Sequence, residues 1–262
     1  MRKRLITFCI LLITALTASC RRPPLPPPVV IFDQAHDQRF LIENNGVLDL
    51  SKLAGIFKKQ GFEVKSSRTP LRKQLLTNVS TLIISGPFKE INHQEISALQ
   101  EFLHAGGQLV IMLHIAPPVD SLLKNIGVAV SNGVVHEQKN IIAPDDKDTD
   151  FYVTDLAPHP LTKGLARVNL YGAWALNTRL AANVIAKTSP SAWIDLNHDR
   201  RLDKGDAMQA FSEIVTGQLG HGRFIVFADD AIFQNRFLTG PNEVLATNMA
   251  KWLKQGSYYP HP

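Results

Sequence analysis

From Val29 onward, short apolar runs alternate with segments whose apolar residues recur at helical spacing. Val29 to Asp33 (VVIFD) predicts a short buried strand. Leu50, Leu53, Ile56 and Phe57 fall on one face of a helix over Asp49 to Gln60, and Gly61 stops it. Phe62 to Ser66 and Val79 to Ser85 predict the second and third strands. Asn92 predicts a helix cap with Glu95 at the capping-box position, and the apolar stripe continues through Ile96, Leu99, Phe102 and Leu103 to Gly106–Gly107. Gln108 to His114 (QLVIMLH) is the fourth strand. After about residue 127 the pattern loosens, with strands expected at Val128–Val130, Val134–His136 and Asn183–Lys187 and an acidic stretch at Asp145–Asp150. It tightens again at Arg223 to Ala228, followed by a helix from Pro241 to Lys254 with proline at its first position.

Strands and helices alternating through short connections call for a parallel sheet covered on both faces. The expected architecture is therefore α/β. It is a doubly wound, mainly parallel sheet with a β-rich insertion before its last strand, forming one domain over residues 29–262. Internal repeats are absent from the sequence.

The first twenty residues follow a different logic. Arg2, Lys3 and Arg4 precede an apolar run from Leu5 to Leu16, too short for the ~20 residues that span a bilayer. Thr17, Ala18 and Ser19 then lead into Cys20. Residues 1–19 resemble a bacterial lipoprotein signal, with Leu16 four positions before the cysteine where the motif prefers three. The resemblance implies an acylated Cys20 as mature N-terminus. Arg21, standing where aspartate favours inner-membrane retention, points to the outer membrane. Residues 21–28 (RRPPLPPP) read as a polyproline II tether of roughly 25 Å. The domain would thus lie in the periplasm, held to the membrane by lipid.

Charge and cysteine content narrow the function. The net charge is +5, yet Arg2, Lys3, Arg4, Arg21 and Arg22 precede residue 29 with no acid among them, so the remaining residues balance. Nucleic-acid binding loses its electrostatic basis. The two cysteines are Cys9 and Cys20, which leaves no thiol for catalysis or metal binding beyond the lipid site.

Ligands of open α/β sheets bind beyond the carboxyl ends of the strands. That rule nominates Asp33, His36 and Gln38 after the first strand, Gly86 and Pro87 after the third, His114 after the fourth, and Asp229, Asp230 and Asn235 after the last. Asp33, His36 and Asp229 suit an acid–base or metal cluster. Equally, they suit polar caps on turns.

DQAHDQRF at the first strand, the block from Thr81 to Met112, APHPLTKGL and FADDAIFQN together resemble an uncharacterised bacterial family. That family belongs to the class I glutamine amidotransferase-like superfamily, alongside periplasmic auxiliary domains of gliding-motility-type ABC transporters. Active members place a cysteine nucleophile in a tight turn after a central strand. Here the fourth strand is followed by HIAPP (residues 114–118), and no Gly-x-Ser-x-Gly turn offers a serine instead. The resemblance implies a scaffold kept for binding or assembly.

Residues 195–206 (DLNHDRRLDKGD) align with a twelve-residue calcium loop. Asp195, Asn197 and Asp199 take positions 1, 3 and 5. The Arg201 carbonyl takes 7, Asp203 takes 9 and Asp206 takes 12. Arg200 replaces the turn glycine and Asp206 the bidentate glutamate, so a solvated acidic turn is the competing reading. His159 between prolines reads as part of a rigid turn, Trp174 and Trp193 as packing residues, and Gly220-His221-Gly222 as a hairpin. Three expectations follow. The first is a non-catalytic envelope component that binds a partner protein or ligand, with calcium and no organic cofactor. The second is a hydrolase of an envelope glycan or peptide that uses His36 with Asp33 or Asp229, or a bound metal, and the third is a purely structural domain without a crevice.

Overall fold

The computed structural model describes residues 26–142, 147–178, 183–197 and 199–257. The signal, Cys20, most of the tether and part of the acidic stretch lie outside the described residues.

In chain order the elements are β1 (Val29–Asp33), α1 (Ser51–Lys59), β2 (Glu63–Ser67), α2 (Lys73–Leu76), β3 (Thr81–Ser85), α3 (His93–His104), β4 (Gln108–Met112) and α4 (Asp120–Asn125). There follow β5 (Val128–His136), β6 (Asp150–Val153), β7 (Asp155–Leu156), β8 (Val168–Tyr171), β9 (Trp174–Thr178), β10 (Val184–Lys187), β11 (Trp193–Ile194) and β12 (Ala207–Met208). A hairpin of β13 (Ser212–Leu219) and β14 (Gly222–Phe227) then leads to α5 (Pro241–Gln255). The fold is mixed α/β, with a largely parallel sheet core and strand insertions.

The core is the run β2-β1-β3-β4-β14, in which every neighbouring pair is parallel. β3 and β4 are buried at every position, which explains their continuous apolar sequences. β2 lies at the edge, where Lys65 and Glu63 keep the unpaired rim soluble. The loosely patterned middle of the chain extends this same sheet. β13 runs antiparallel to β14, and β9, β10, β5, β11 and β12 continue outward from it, while β6 and β8 form a separate pair.

Helix positions follow from their apolar faces. α1 buries Leu53, Ala54, Ile56 and Phe57 and packs on α5, with Phe57 edge-on to Phe32 and Phe62. α5 buries Leu245, Ala246, Met249, Ala250 and Leu253. α3 has the expected capping box, with Asn92 accepting from Gln94 and Glu95 N–H and the Glu95 carboxylate accepting from Asn92 N–H. No helix among the described residues is long and apolar enough to cross a membrane.

Candidate functional site

The parallel strands deliver two histidine–carboxylate groups to the same pole. Behind β1 the chain turns through Asp33 to Gln38. The Asp33 carboxylate accepts from Ala35 N–H, from Gln38 Nε2 at 2.5 Å and lies 2.6 Å from His36 Nδ1. His36 Nε2 lies 3.1 Å from Glu95 Oε1, which also accepts from Leu71 N–H. The ring is therefore held at both nitrogens, and only 2 % of the residue is exposed. Its carbonyl accepts from Phe88 and Lys89 N–H, tying the loop after β1 to the loop after β3. Burial opposes charging this imidazole, but its bonds and charge interactions with Asp33 and then Glu95 outweigh burial and raise its pKa. Glu95 is likewise opposed by burial, yet the bonds from His36 and two backbone amides pull its pKa down.

The second group lies behind β4 and β14. His114 Nδ1 stands 3.0 Å from Asp230 Oδ1, and the His114 side chain is 36 % exposed against 2 % for Asp230. Its Nε2 edge has no hydrogen-bond partner among the described residues. Phe40 and Phe88 flank the ring at 5.1 and 5.3 Å between centroids, and Trp174 Nε1 donates to the His114 carbonyl. The Arg39 guanidinium stacks on Phe88, 4.2 Å from its centroid. The bond to Asp230 raises the His114 pKa against burial and against the Arg39 charge. Burial raises that of Asp230, partly offset by His114.

Gly86 makes this packing possible. It adopts φ +53°, and a Cβ there would stand 2.5 Å from Asp230 Oδ2. That oxygen and Ser85 Oγ are buried without a hydrogen-bond partner.

The other nominated residues are placed elsewhere. Asp229 accepts from Tyr171 N–H at 2.6 Å and Ala231 N–H at 2.8 Å, and bonds to neither histidine. Burial followed by the Asp230 charge pushes its pKa well up. Asn235 clamps the start of α1, accepting from Lys52 N–H and donating to Gly46 O and Ser51 Oγ. The expected six-residue crevice is thus three separate arrangements: Asp33–His36–Gln38 sealed by Glu95, Asp230 with His114, and Asp229 and Asn235 bracing turns.

Two groups escaped the sequence pattern. Glu95 reads as a capping residue and also braces His36. Glu213, inside β13, is fully buried with both carboxylate oxygens unpartnered. Burial, then Asp229 and Glu137, raise its pKa well above the ordinary range. An acid directly before the apolar pair Ile214–Val215 was the available signal.

The 195–206 loop turns its side chains to its own backbone. Asp195 accepts from Arg200 N–H, Asn197 from Asp199 N–H, Asp199 from Arg201 N–H and Asp203 from Gly205 N–H. Asp206 accepts from both Leu196 and Asp203 N–H. Arg200 holds φ +63° where a calcium loop has glycine. Among the described residues, no three His, Cys, Asp or Glu side chains converge in metal-holding geometry; His198 lies outside them. His159 caps the turn at Pro160–Thr162 and packs edge-on to Trp252.

Solved structures share this architecture. The N-terminal domain of mmIFT52 superposes with a TM-score of 0.67 at 16 % identity, covering 86 % of this chain and 97 % of that one. A ThuA-like protein from Bacteroides uniformis gives 0.52 at 15 % identity over 89 % and 94 %. A cytoplasmic protein from Salmonella typhimurium LT2 gives 0.55 at 14 % over 88 % and 100 %. These identities speak for the fold alone. Comparison with curated protein sequences gives no match. Residues 45–250 match the family described as a domain of unknown function, DUF4350, and the chain belongs to that family.

Proposed function

We propose that this chain is a lipid-anchored envelope protein, fixed through Cys20 in the outer membrane. Its amidotransferase-like domain serves in the periplasm as a non-catalytic component that binds a partner or ligand. The scaffold is read as doubly wound. The crossovers from β1 to β2 and from β3 to β4 run in opposite directions across the sheet, so with the right-handed connection that parallel strands require their helices fall on opposite faces, and α1 pairs with α5 while α3 pairs with α2. The ThuA-like neighbour supports the same reading.

The observation that carries the binding role is the saturation of His36. A general base needs a nitrogen within reach of a substrate proton. Both nitrogens of His36 face carboxylates and the ring is buried. A hydrolase built on His36 is therefore the weaker reading. The exposed Arg39 and the half-buried Phe88 and His114 are part of what this pole offers to solvent.

Two measurements test the proposal. Labelled palmitate should enter the wild-type protein and not Cys20→Ser. A photo-crosslinker at position 88 should capture a discrete envelope component that the same probe at the exposed Lys251 does not. Equal capture at both positions contradicts the role.

Calcium belongs to the same proposal. An ion at 195–206 would have to exchange the loop's amide hydrogen bonds for metal contacts. Extracytoplasmic calcium modules bind at ~10⁻⁴–10⁻³ M. Tenfold excess over a site of that strength stabilises by about 1.4 kcal/mol, so the melting temperature should rise with millimolar calcium and fall back with chelator. An unchanged value removes calcium from the account.

A further inference from the structure

We propose that His114 and Arg39 together form a recognition site for an oxyanion, a carboxylate or phosphoryl group carried by the ligand. The inference rests on the binding role proposed above and names the chemistry of its occupant.

Three features converge. First, the fold buries Asp230 almost completely and spends one of its oxygens on His114 Nδ1. Burying a carboxylate is unfavourable unless a partner compensates it. Here the partner is a ring whose other edge faces outward. With Nδ1 engaged by the carboxylate, a protonated ring presents Nε2–H to solvent as a charge-assisted donor. Second, Arg39 is exposed and makes no ion pair among the described residues. Its guanidinium lies on Phe88, the ring that also packs against His114, so a guanidinium and an imidazole share one aromatic platform. Their repulsion registers at His114, where the Arg39 charge opposes protonation.

Third, the acid nearest His114 is screened from the outer surface. Asp230 Oδ2 points at the Cα of Gly86, where even a methyl group would collide with it. Only Asp230 and Arg39 act electrostatically on His114 to a resolved degree, one from behind and one beside it. An oxyanion bridging Nε2–H and the guanidinium would relieve the Arg39–His114 repulsion. It would also supply the counter-charge that Arg39 lacks. Phe40, edge-on to the ring, leaves apolar contact for whatever carries the anion.

The test uses the full chain in neutral detergent, with inorganic phosphate and acetate titrated separately at constant ionic strength and followed by calorimetry. Saturable binding should weaken about tenfold in Arg39→Gln and in His114→Gln, the scale of one charge-assisted hydrogen bond. Arg39→Lys should retain part of it. Phosphate tighter than acetate assigns a phosphoryl group, and the reverse assigns a carboxylate. No saturable binding of either anion overturns the proposal, as does binding that both glutamine variants leave unchanged. If the position-88 crosslink forms while neither anion binds, the oxyanion chemistry fails and the binding role stands; if both are absent, both fall.

Discussion

His36 and His114 make a controlled comparison within one molecule. Each follows a parallel strand, and each has an aspartate at its Nδ1, at 2.6 and 3.0 Å. They differ at Nε2. Glu95 from α3 closes His36, whereas His114 opens to solvent between Phe40 and Phe88. The dyad itself therefore does not decide whether the ring is sealed; what meets the second nitrogen does. A ring closed at both ends is a brace that ties β1, α3 and the loop after β3 together. A ring closed at one end keeps its second nitrogen open to solvent.

The largest expected effect comes from removing the brace. His36→Ala leaves Asp33 and Glu95 buried without their shared cation, and breaking a buried pair destabilises by about 3–5 kcal/mol. Denaturant unfolding should show that loss. Next comes Gly86→Ala, which places a methyl group against Asp230 Oδ2 at a positive φ. Strain of this kind is worth about 1–3 kcal/mol, and the same unfolding curves measure it. His114→Gln closes the series. Asp230 is buried, but a glutamine amide can still donate to it in place of His114 Nδ1, so stability should change by only about 1 kcal/mol. Equal losses at His36 and His114 would erase the distinction.

The pH dependence sharpens the contrast. His36 titrates above its ordinary 6.5 in the folded state, so its contribution is complete below 6.5 and fades as pH rises through the higher folded value. Glu95 titrates below 4.5, so its contribution is complete above 4.5 and fades as pH falls through the lower folded value. The brace is strongest between these limits. Glu213, raised well above 4.5, adds a further loss toward alkaline pH because its burial favours the neutral acid. Glu213→Gln should therefore unfold at higher denaturant than the wild type at pH 8. Their difference should shrink toward pH 5.

Local signals in the sequence located the five parallel strands and α1, α3 and α5, but not the short helices α2 and α4. β3, β4 and the Asn92–Glu95 cap follow from apolar runs and capping chemistry that act within a few residues. The insertion was less legible because β5, β9, β11 and β13 pair antiparallel across long separations, such as Trp193 with His136, which no periodicity encodes. The strand-end rule located the pole but could not sort its members. His36 and Asp229 look alike in a sequence. Only the 59-residue reach from His36 to Glu95 and the 116-residue reach from His114 to Asp230 separate the sealed ring from the open one.

The most direct test of that separation is the ring-proton exchange of the two histidines in ¹⁵N-histidine protein, with and without phosphate. His36 ring protons should exchange slowly and ignore phosphate, while the His114 Nε2 proton should exchange fast and shift on addition. Comparable exchange at both rings, or a phosphate response at His36, would contradict the separation.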